Sequence, residues 1–362
     1  MRFAIACGGT GGHLFPGLAV AEVLRERGHE VLLFVSEKEV DARALRAHPD
    51  IERETLPSIG LPSPLSPAMV GFIRRLLASL RKCGAVYRRW RPDAVLGMGG
   101  FTSIAPLMAA RWRRIPAFLH ESNAIPGKAN RLAAHFCREV LLGFEACAPH
   151  FRGRPTRVTG TPIRRELTSG APSPGEARLQ LGLAAGRPTL LAMGGSQGAA
   201  GINVLLGEAA PHLATADVQV VHLAGERNAE KVADTYAAAG VAARVLPFCD
   251  SMQDVYPAAD LAVSRAGASS LGEISAFSLP SVLIPYPHAA EDHQRLNADI
   301  FVSAGAGRLL EEKGATGDGL AQLLRSLLES PGTRAEMAAA AGRLAPREAA
   351  GRVAAVLEEV AA

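Results

Sequence analysis

Apolar residues along this chain fall into short uninterrupted runs, each separated from the next by a longer stretch in which apolar positions recur three and four residues apart. Residues 2–7 (RFAIAC), 30–35, 94–98, 117–120 and 139–142 form a first series of runs, and 189–193, 218–223, 245–248, 261–264 and 281–285 a second. Short apolar runs are buried strands and the longer period marks helices, so the alternation predicts α/β domains with parallel sheets. Between the two series lie Gly160-Thr161-Pro162 and then a segment over 168–175 rich in Ser, Gly and Pro, which is a linker composition. The pattern predicts two Rossmann-like parallel-sheet domains facing one another across a cleft. The first covers residues 1–162 and is joined by a last helix, at about 345–362, that packs back on it; the second covers 163–344.

Three of the runs end in loops with chemical potential. The first leads at once into Gly8-Gly9-Thr10-Gly11-Gly12-His13, ahead of helical periodicity over 14–27. Glycines let backbone N–H groups approach an anion, and a helix start adds positive partial charge. The dinucleotide register GxGxxG fails, because counting from Gly9 its last glycine falls on Leu14. The run at 189–193 repeats the pattern with Gly194-Gly195-Ser196-Gln197-Gly198 and a helix from about Ile202. After 261–264 come Arg265-Ala266-Gly267-Ala268-Ser269-Ser270 and then Glu273, a helix start suited to phosphate oxygens with a carboxylate able to accept from a ribose diol. Since Ser270 precedes it by three, Glu273 reads equally as the acid of a capping box.

Composition narrows the setting. With 362 residues and 48% hydrophobic content the chain supports two cores. The apolar stretch after Arg2 is too short for a secretory signal, and the uncharged run 188–207 holds five glycines, so neither reads as a membrane segment. Five cysteines include no CxxC pair, and no His cluster has metal spacing, so reduced thiols, no metal and no cofactor are expected. Net charge is +4, yet residues 1–160 hold 23 Lys and Arg against 13 Asp and Glu. Residues 67–114 alone carry ten basic residues and one acid, Asp93, interleaved with Phe72, Ile73, Leu76, Leu77, Leu80, Val86, Tyr87, Trp90 and, further on, Trp112. A basic amphipathic helix with aromatic anchors suits an anionic membrane surface; the competing reading is an ordinary helix with its leucines turned inward. No nucleic-acid motif accompanies the stretch, and no nucleic-acid partner is expected.

The ordered set GGTGGH, His120-Glu121-Ser122-Asn123-Ala124-Ile125-Pro126-Gly127, Gly160-Thr161-Pro162-Ile163-Arg164, GGSQG at 194–198, and Arg265-Ala266-Gly267-Ala268 with Glu273 resembles the MurG family across nearly the whole chain. The resemblance implies a GT-B fold and an inverting transfer of N-acetylglucosamine from UDP-N-acetylglucosamine to the muramoyl 4-hydroxyl of lipid I. The product is lipid II for peptidoglycan, and the setting is peripheral, on the cytoplasmic face of the bacterial inner membrane. By resemblance, Thr10, Gly11, Gly12, Asn123, Arg164, Ser196, Ala268, Ser269, Ser270, Leu271, Gly272, Glu273 and Gln294 bind substrate, and Cys249 stands where the family makes a backbone contact to uracil. The chain departs from the family pattern at Ser122, commonly Gln, and at His293, beside Gln294, where a second Gln is frequent.

The reaction needs a base for the acceptor hydroxyl. His13 is the first candidate, since imidazole chemistry suits neutral pH, and the alternative is a positioning hydrogen bond to a phosphate. Glu121 is the rival, as base or as structural carboxylate. A UDP-sugar epimerase, a glycolipid galactosyltransferase and a non-catalytic nucleotide-binding scaffold share enough of the pattern to stand as alternatives; a nicotinamide oxidoreductase fits less well because of the failed register.

Overall fold

The computed structural model describes residues 1–38, 41–42, 45–57, 60, 62, 66–195, 198–249 and 251–361. The chain divides into two compact units, Met1–Arg164 with Pro346–Ala362, and Arg165–Ala345. Among the described residues the first holds a seven-stranded parallel sheet in the order β3-β2-β1-β4-β5-β6-β7. Its strands are β1 Arg2–Ala6, β2 Glu30–Ser36, β3 Glu52–Leu56, β4 Ala94–Gly97, β5 Ala117–Glu121, β6 Glu139–Leu142 and β7 Thr156–Val158. The second unit holds a six-stranded parallel sheet, β10-β9-β8-β11-β12-β13. These are β8 Thr189–Met193, β9 Gln219–Leu223, β10 Ala243–Leu246, β11 Leu261–Ser264, β12 Ser281–Leu283 and β13 Gly307–Leu309.

The interior strands match the apolar runs because a parallel strand covered on both faces must be apolar throughout. β3, β7 and β13 have no counterpart among those runs, and β10 begins two residues before the expected 245. All four are sheet edges, where strands are short and carry charge, as ERETL in β3 does.

Helices cover both faces of the first sheet. On one face α1 (Gly11–Glu26) buries Leu14, Leu18 and Leu24 beside Val353, Ala354 and Leu357 of the final helix, Ala349–Ala361. Gly160 makes room for this return: at φ +81° it lies so near the start of the final helix that a Cβ would stand 3.0 Å from Pro346 Cβ. On the opposite face α2 (Ala68–Trp90) packs against α3 (Gly100–Trp112). Leu80, Cys83, Val86, Tyr87 and Trp90 of α2 are core residues, and the Tyr87 hydroxyl donates to Pro106 O at 3.1 Å. The apolar stripe of α2 is therefore split between the membrane-surface reading and the inward-packed one. Its second half is consumed by packing, while Val70, Ile73 and Leu77 stay 65%, 48% and 46% exposed.

Each unit also buries a neutral histidine. In β5, His120 Nε2 donates to Gly160 O at 2.9 Å and Nδ1 accepts from Ser122 Oγ at 3.2 Å. This ties the 120–127 motif to Gly160-Thr161-Pro162. In β9, His222 Nε2 donates to Asn203 Oδ1 and Nδ1 accepts from the Tyr236 hydroxyl, both at 3.0 Å. Burial drives both imidazoles down from 6.5 to about 4. Between those values the unfolded chain binds the extra proton, so stability is fully present above about pH 6.5 and is lost as pH falls toward 4. Each histidine contributes about 3 kcal/mol at most. The urea midpoint at pH 5 should accordingly fall well below that at pH 7.5, before most carboxylates titrate; a flat profile over this interval contradicts the assignment.

Candidate functional site

In the first unit strand order reverses between β1 and β4, the position at which open parallel sheets place ligands beyond the strand ends. Gly8 and Gly9 leave β1 there, and Met98 and Gly99 leave β4. Helix α1 begins at Gly11 with Thr10 as its N-cap, so Gly11, Gly12 and His13 form its first turn rather than a loop ahead of a helix starting at Leu14. Apolar periodicity does not register glycines, and the His13 N–H itself turns back to Thr10 O at 3.1 Å. His13 Nδ1 lies 3.1 Å from Thr10 Oγ1. Its ring rests on the backbone of Gly99 and Gly100, at φ +101° and +71°, and a Cβ on Gly100 would stand 3.0 Å from His13 Cε1.

A buried polar chain supports that floor. Asn130 Oδ1 accepts from Gly100 N–H at 3.0 Å while its Nδ2 donates to Glu121 Oε2 at 2.7 Å. The other oxygen, Glu121 Oε1, accepts from the N–H and the Nδ2 of Asn123, each at 2.9 Å. Glu121 is 2% exposed. Burial raises its pKa, opposed by hydrogen bonds from Asn123, Asn130 and the Gly127 backbone. A general base must turn a lone pair toward its substrate proton, whereas both oxygens of this carboxylate are committed inside the protein. Glu121 thus orients Asn123 and, through Asn130, the glycines beneath His13.

Asp41, which no sequence spacing singles out, holds the loop from the other side. It is fully buried, and its Oδ2 accepts from Gly9 N–H at 2.8 Å, Ser36 N–H at 2.8 Å and Ser36 Oγ at 2.6 Å. Lys38 Nζ donates to Gly9 O at 2.8 Å. Gly8 fits beneath this clamp only without a side chain, since its Cβ would stand 2.3 Å from Ser36 N. Arg164 lies with its guanidinium 4.5 Å over the ring of Phe15, in the same helix as His13.

The second unit repeats the arrangement at the reversal between β8 and β11. Gly194 and Gly195 leave β8, while Ser196 lies outside the described residues, as does Gln197; the following helix is Ala200–Thr215. After β11, the loop at Ala266 is clamped by the helix His293–Ser303: Gln294 Oε1 accepts from Ala266 N–H at 3.3 Å, and Asn297 Nδ2 donates to Ala266 O at 3.0 Å. Gln294 Oε1 also accepts from Tyr286 N–H at 3.0 Å, so this side chain can offer a ligand only its N–H donors. Arg265 is a strut: Nη1 donates to Ile284 O and Pro285 O, each at 3.1 Å, and pairs with Glu312.

The helix Ala268–Ala276 starts on Gly267, so Ala268, Ser269 and Ser270 supply its first-turn N–H groups. Leu271 and Gly272 are buried and present no side chain to a ligand. Glu273 stands in the second turn, and the capping-box reading fails because the N-cap is Gly267 and not Ser270. Its Oε2 accepts from the Tyr256 hydroxyl at 2.7 Å. Cys249, half-buried, packs in the same cluster as Met252, Val255 and Tyr256. The residues that sequence reasoning missed are Asp41, Asn130, Asn297, Tyr256 and the pair Gly99–Gly100. Only that pair carried a signal, the recurrent sequence of strand followed by glycines at 97–100.

Glycine-rich loops and helix starts repeated at the strand-order reversals of two parallel-sheet units are the arrangement of the GT-B glycosyltransferases, and that is the class this fold defines. Residues 3–142 match the glycosyltransferase family 28 N-terminal domain and residues 189–353 the glycosyltransferase family 28 C-terminal domain. The chain belongs to family 28 and, within it, to the MurG family. It is 40% identical over 357 residues, covering 97% of this chain and 96% of the relative, to the UDP-N-acetylglucosamine--N-acetylmuramyl-(pentapeptide) pyrophosphoryl-undecaprenol N-acetylglucosamine transferase of Geobacter metallireducens. The transferase of the same name from Anaeromyxobacter dehalogenans is 39% identical over 375 residues, covering 99% and 93% of the two chains. The crystal structure of MurG from Acinetobacter baumannii superposes with a TM-score of 0.76 at 26% identity, covering 99% of both chains. A putative UDP-N-acetylglucosamine 2-epimerase from Listeria monocytogenes superposes with a TM-score of 0.69 at 15% identity, covering 98% and 94%, a likeness of fold alone.

Proposed function

We propose that this chain transfers N-acetylglucosamine from UDP-N-acetylglucosamine to the muramoyl 4-hydroxyl of lipid I, forming lipid II. The observation that carries this reading is 40% identity over 97% of the chain to a transferase named for that donor sugar and that lipid-linked acceptor. Relatives of that name favour the transferase over the epimerase, galactosyltransferase and scaffold readings.

The chemistry divides between the two units. In the second, the first-turn N–H groups of Ala268–Ser270 and the hydroxyls of Ser269 and Ser270 suit the donor's diphosphate, whose charge grows as the anomeric C–O bond breaks. Glu273 suits the ribose diol, the Gln294 amide the sugar, and Cys249 the uracil edge. In the first, His13 is the group we assign as base: it takes the proton of the 4-hydroxyl as that oxygen attacks the anomeric carbon from the face opposite UDP, so the configuration inverts. Thr10, Gly11 and Gly12 leave the same reversal point, Asn123 follows the neighbouring strand β5, and Arg164 adds positive charge beside Phe15.

The acceptor is lipid-linked, and we place the first unit on an anionic membrane surface. Support comes from exposed Val70, Ile73 and Leu77 on α2, flanked by exposed Arg74, Arg75 and Arg81, and from Trp112, 66% exposed at the end of α3. Lys82 and Arg89 do not count toward this surface, being paired to Glu54. Each basic residue near an anionic leaflet is worth about 1 kcal/mol, and the apolar side chains add to that. No helix among the described residues is long and apolar enough to cross a membrane.

Labelled N-acetylglucosamine should pass from its UDP donor to a short-chain lipid I analogue at the same rate with and without chelator, because backbone N–H groups and Arg164 meet the leaving charge. Absence of product, or its loss to chelator, contradicts the reading. In sedimentation with phosphatidylglycerol vesicles, Ile73→Glu with Leu77→Glu should lower bound protein by about 10-fold or more. Unchanged binding by that variant removes α2 from the membrane surface.

A further inference from the structure

Tyr256 has no place in the chemistry above, yet its hydroxyl donates to Glu273. It is 1% exposed, and its ring stacks on Phe277 with centroids 5.0 Å apart and planes inclined by 19°. So held, its hydroxyl can donate in one direction, and it donates to Glu273 Oε2 at 2.7 Å. A phenol hydrogen bond to a carboxylate is charge-assisted and directional.

Glu273 has no capping role, since its helix starts five residues earlier. At about 1.5 Å rise per residue its Cα lies roughly 4–8 Å along the axis from those of Ser270 back to Ala268, and helical side chains lean back toward the N-terminus. A ribose attached directly to a phosphate held at Ala268–Ser270 would meet a carboxylate at that offset. Two carboxylate oxygens provide about four acceptor positions, more than the Tyr256 hydrogen bond occupies.

We propose that Tyr256 is a positioning residue for nucleoside recognition: it pre-sets the Glu273 carboxylate to accept from the ribose hydroxyls, and so sets the preference for ribose over deoxyribose in the donor. This rests on the reading of the second unit as the UDP-sugar site. A long glutamate side chain left free must be ordered by each incoming ligand, and fixing it beforehand lowers that cost.

Calorimetric binding of UDP and 2′-deoxy-UDP to the full chain, wild type and Tyr256→Phe, tests this, with donor KM and kcat measured alongside. The wild type should prefer UDP by about 10-fold or more, as expected for a hydrogen bond to a charged acceptor. Tyr256→Phe should narrow that preference several-fold and raise donor KM with kcat largely kept. Equal discrimination by both proteins overturns the proposal and leaves the UDP-site reading intact. An equal loss of both nucleotides together with a lowered melting temperature assigns Tyr256 to the core alone and also overturns it. Failure of the wild type to bind UDP defeats the underlying reading itself. Glu273→Gln, which keeps the shape but weakens acceptance, should reproduce the loss of discrimination without disturbing the Tyr256–Phe277 stack.

Discussion

Where the order of strands in a parallel sheet reverses, the loops leaving two neighbouring strands part in opposite directions, and the N–H groups they carry find no partner in the ladder. Each sheet of this chain has one such point, between β1 and β4 and between β8 and β11. Most groups assigned a part in the chemistry, His13, Ser269, Ser270 and Glu273 among them, are carried by a loop or helix leaving these four strands. The two units thus offer the same kind of anion-accepting backbone. The side chains added at each point differ: an imidazole and an arginine in the first, hydroxyls and a carboxylate in the second.

Such loops are useful only if they hold their shape before substrate arrives, and buried polar side chains meet that demand. Asp41 gathers three donors on one oxygen beneath Gly8 and Gly9. Glu121 and Asn130 brace Gly100, and Asn297 with Gln294 satisfies both backbone groups of Ala266. A buried carboxylate without partners would be costly, but one receiving several N–H donors is stable and stiff. Conspicuous polar residues of the family motifs, His120, Glu121 and Arg265, are accordingly buried and hydrogen-bonded within the protein, while His13 sits half-exposed beside them.

The interior strands and the glycine loops were legible in the sequence, because two-sided burial forces continuous apolar runs and close backbone approach forces glycine. Three of the four edge strands were not, since β3, β7 and β13 face solvent and carry no such constraint. The stripe on α2 was legible as amphipathic but not as divided: a 23-residue helix long enough to serve both the core and a surface shows one periodicity for both. Roles within the motifs were the least legible part. Whether Glu121 faces substrate or Asn130, and whether Glu273 caps its helix or accepts from Tyr256, depends on residues far away in sequence or on a helix boundary placed a few positions earlier.

The account stands or falls on the imidazole at the first reversal point. The direct measurement is turnover of His13→Ala at saturating donor and acceptor, with UDP binding measured on the same protein. Loss of kcat by about 100-fold or more with UDP affinity unchanged is the expected result, as for removal of a base that the donor's nucleotide does not touch. Near-normal kcat would contradict it, and would return His13 to a positioning role and leave the proton to another group.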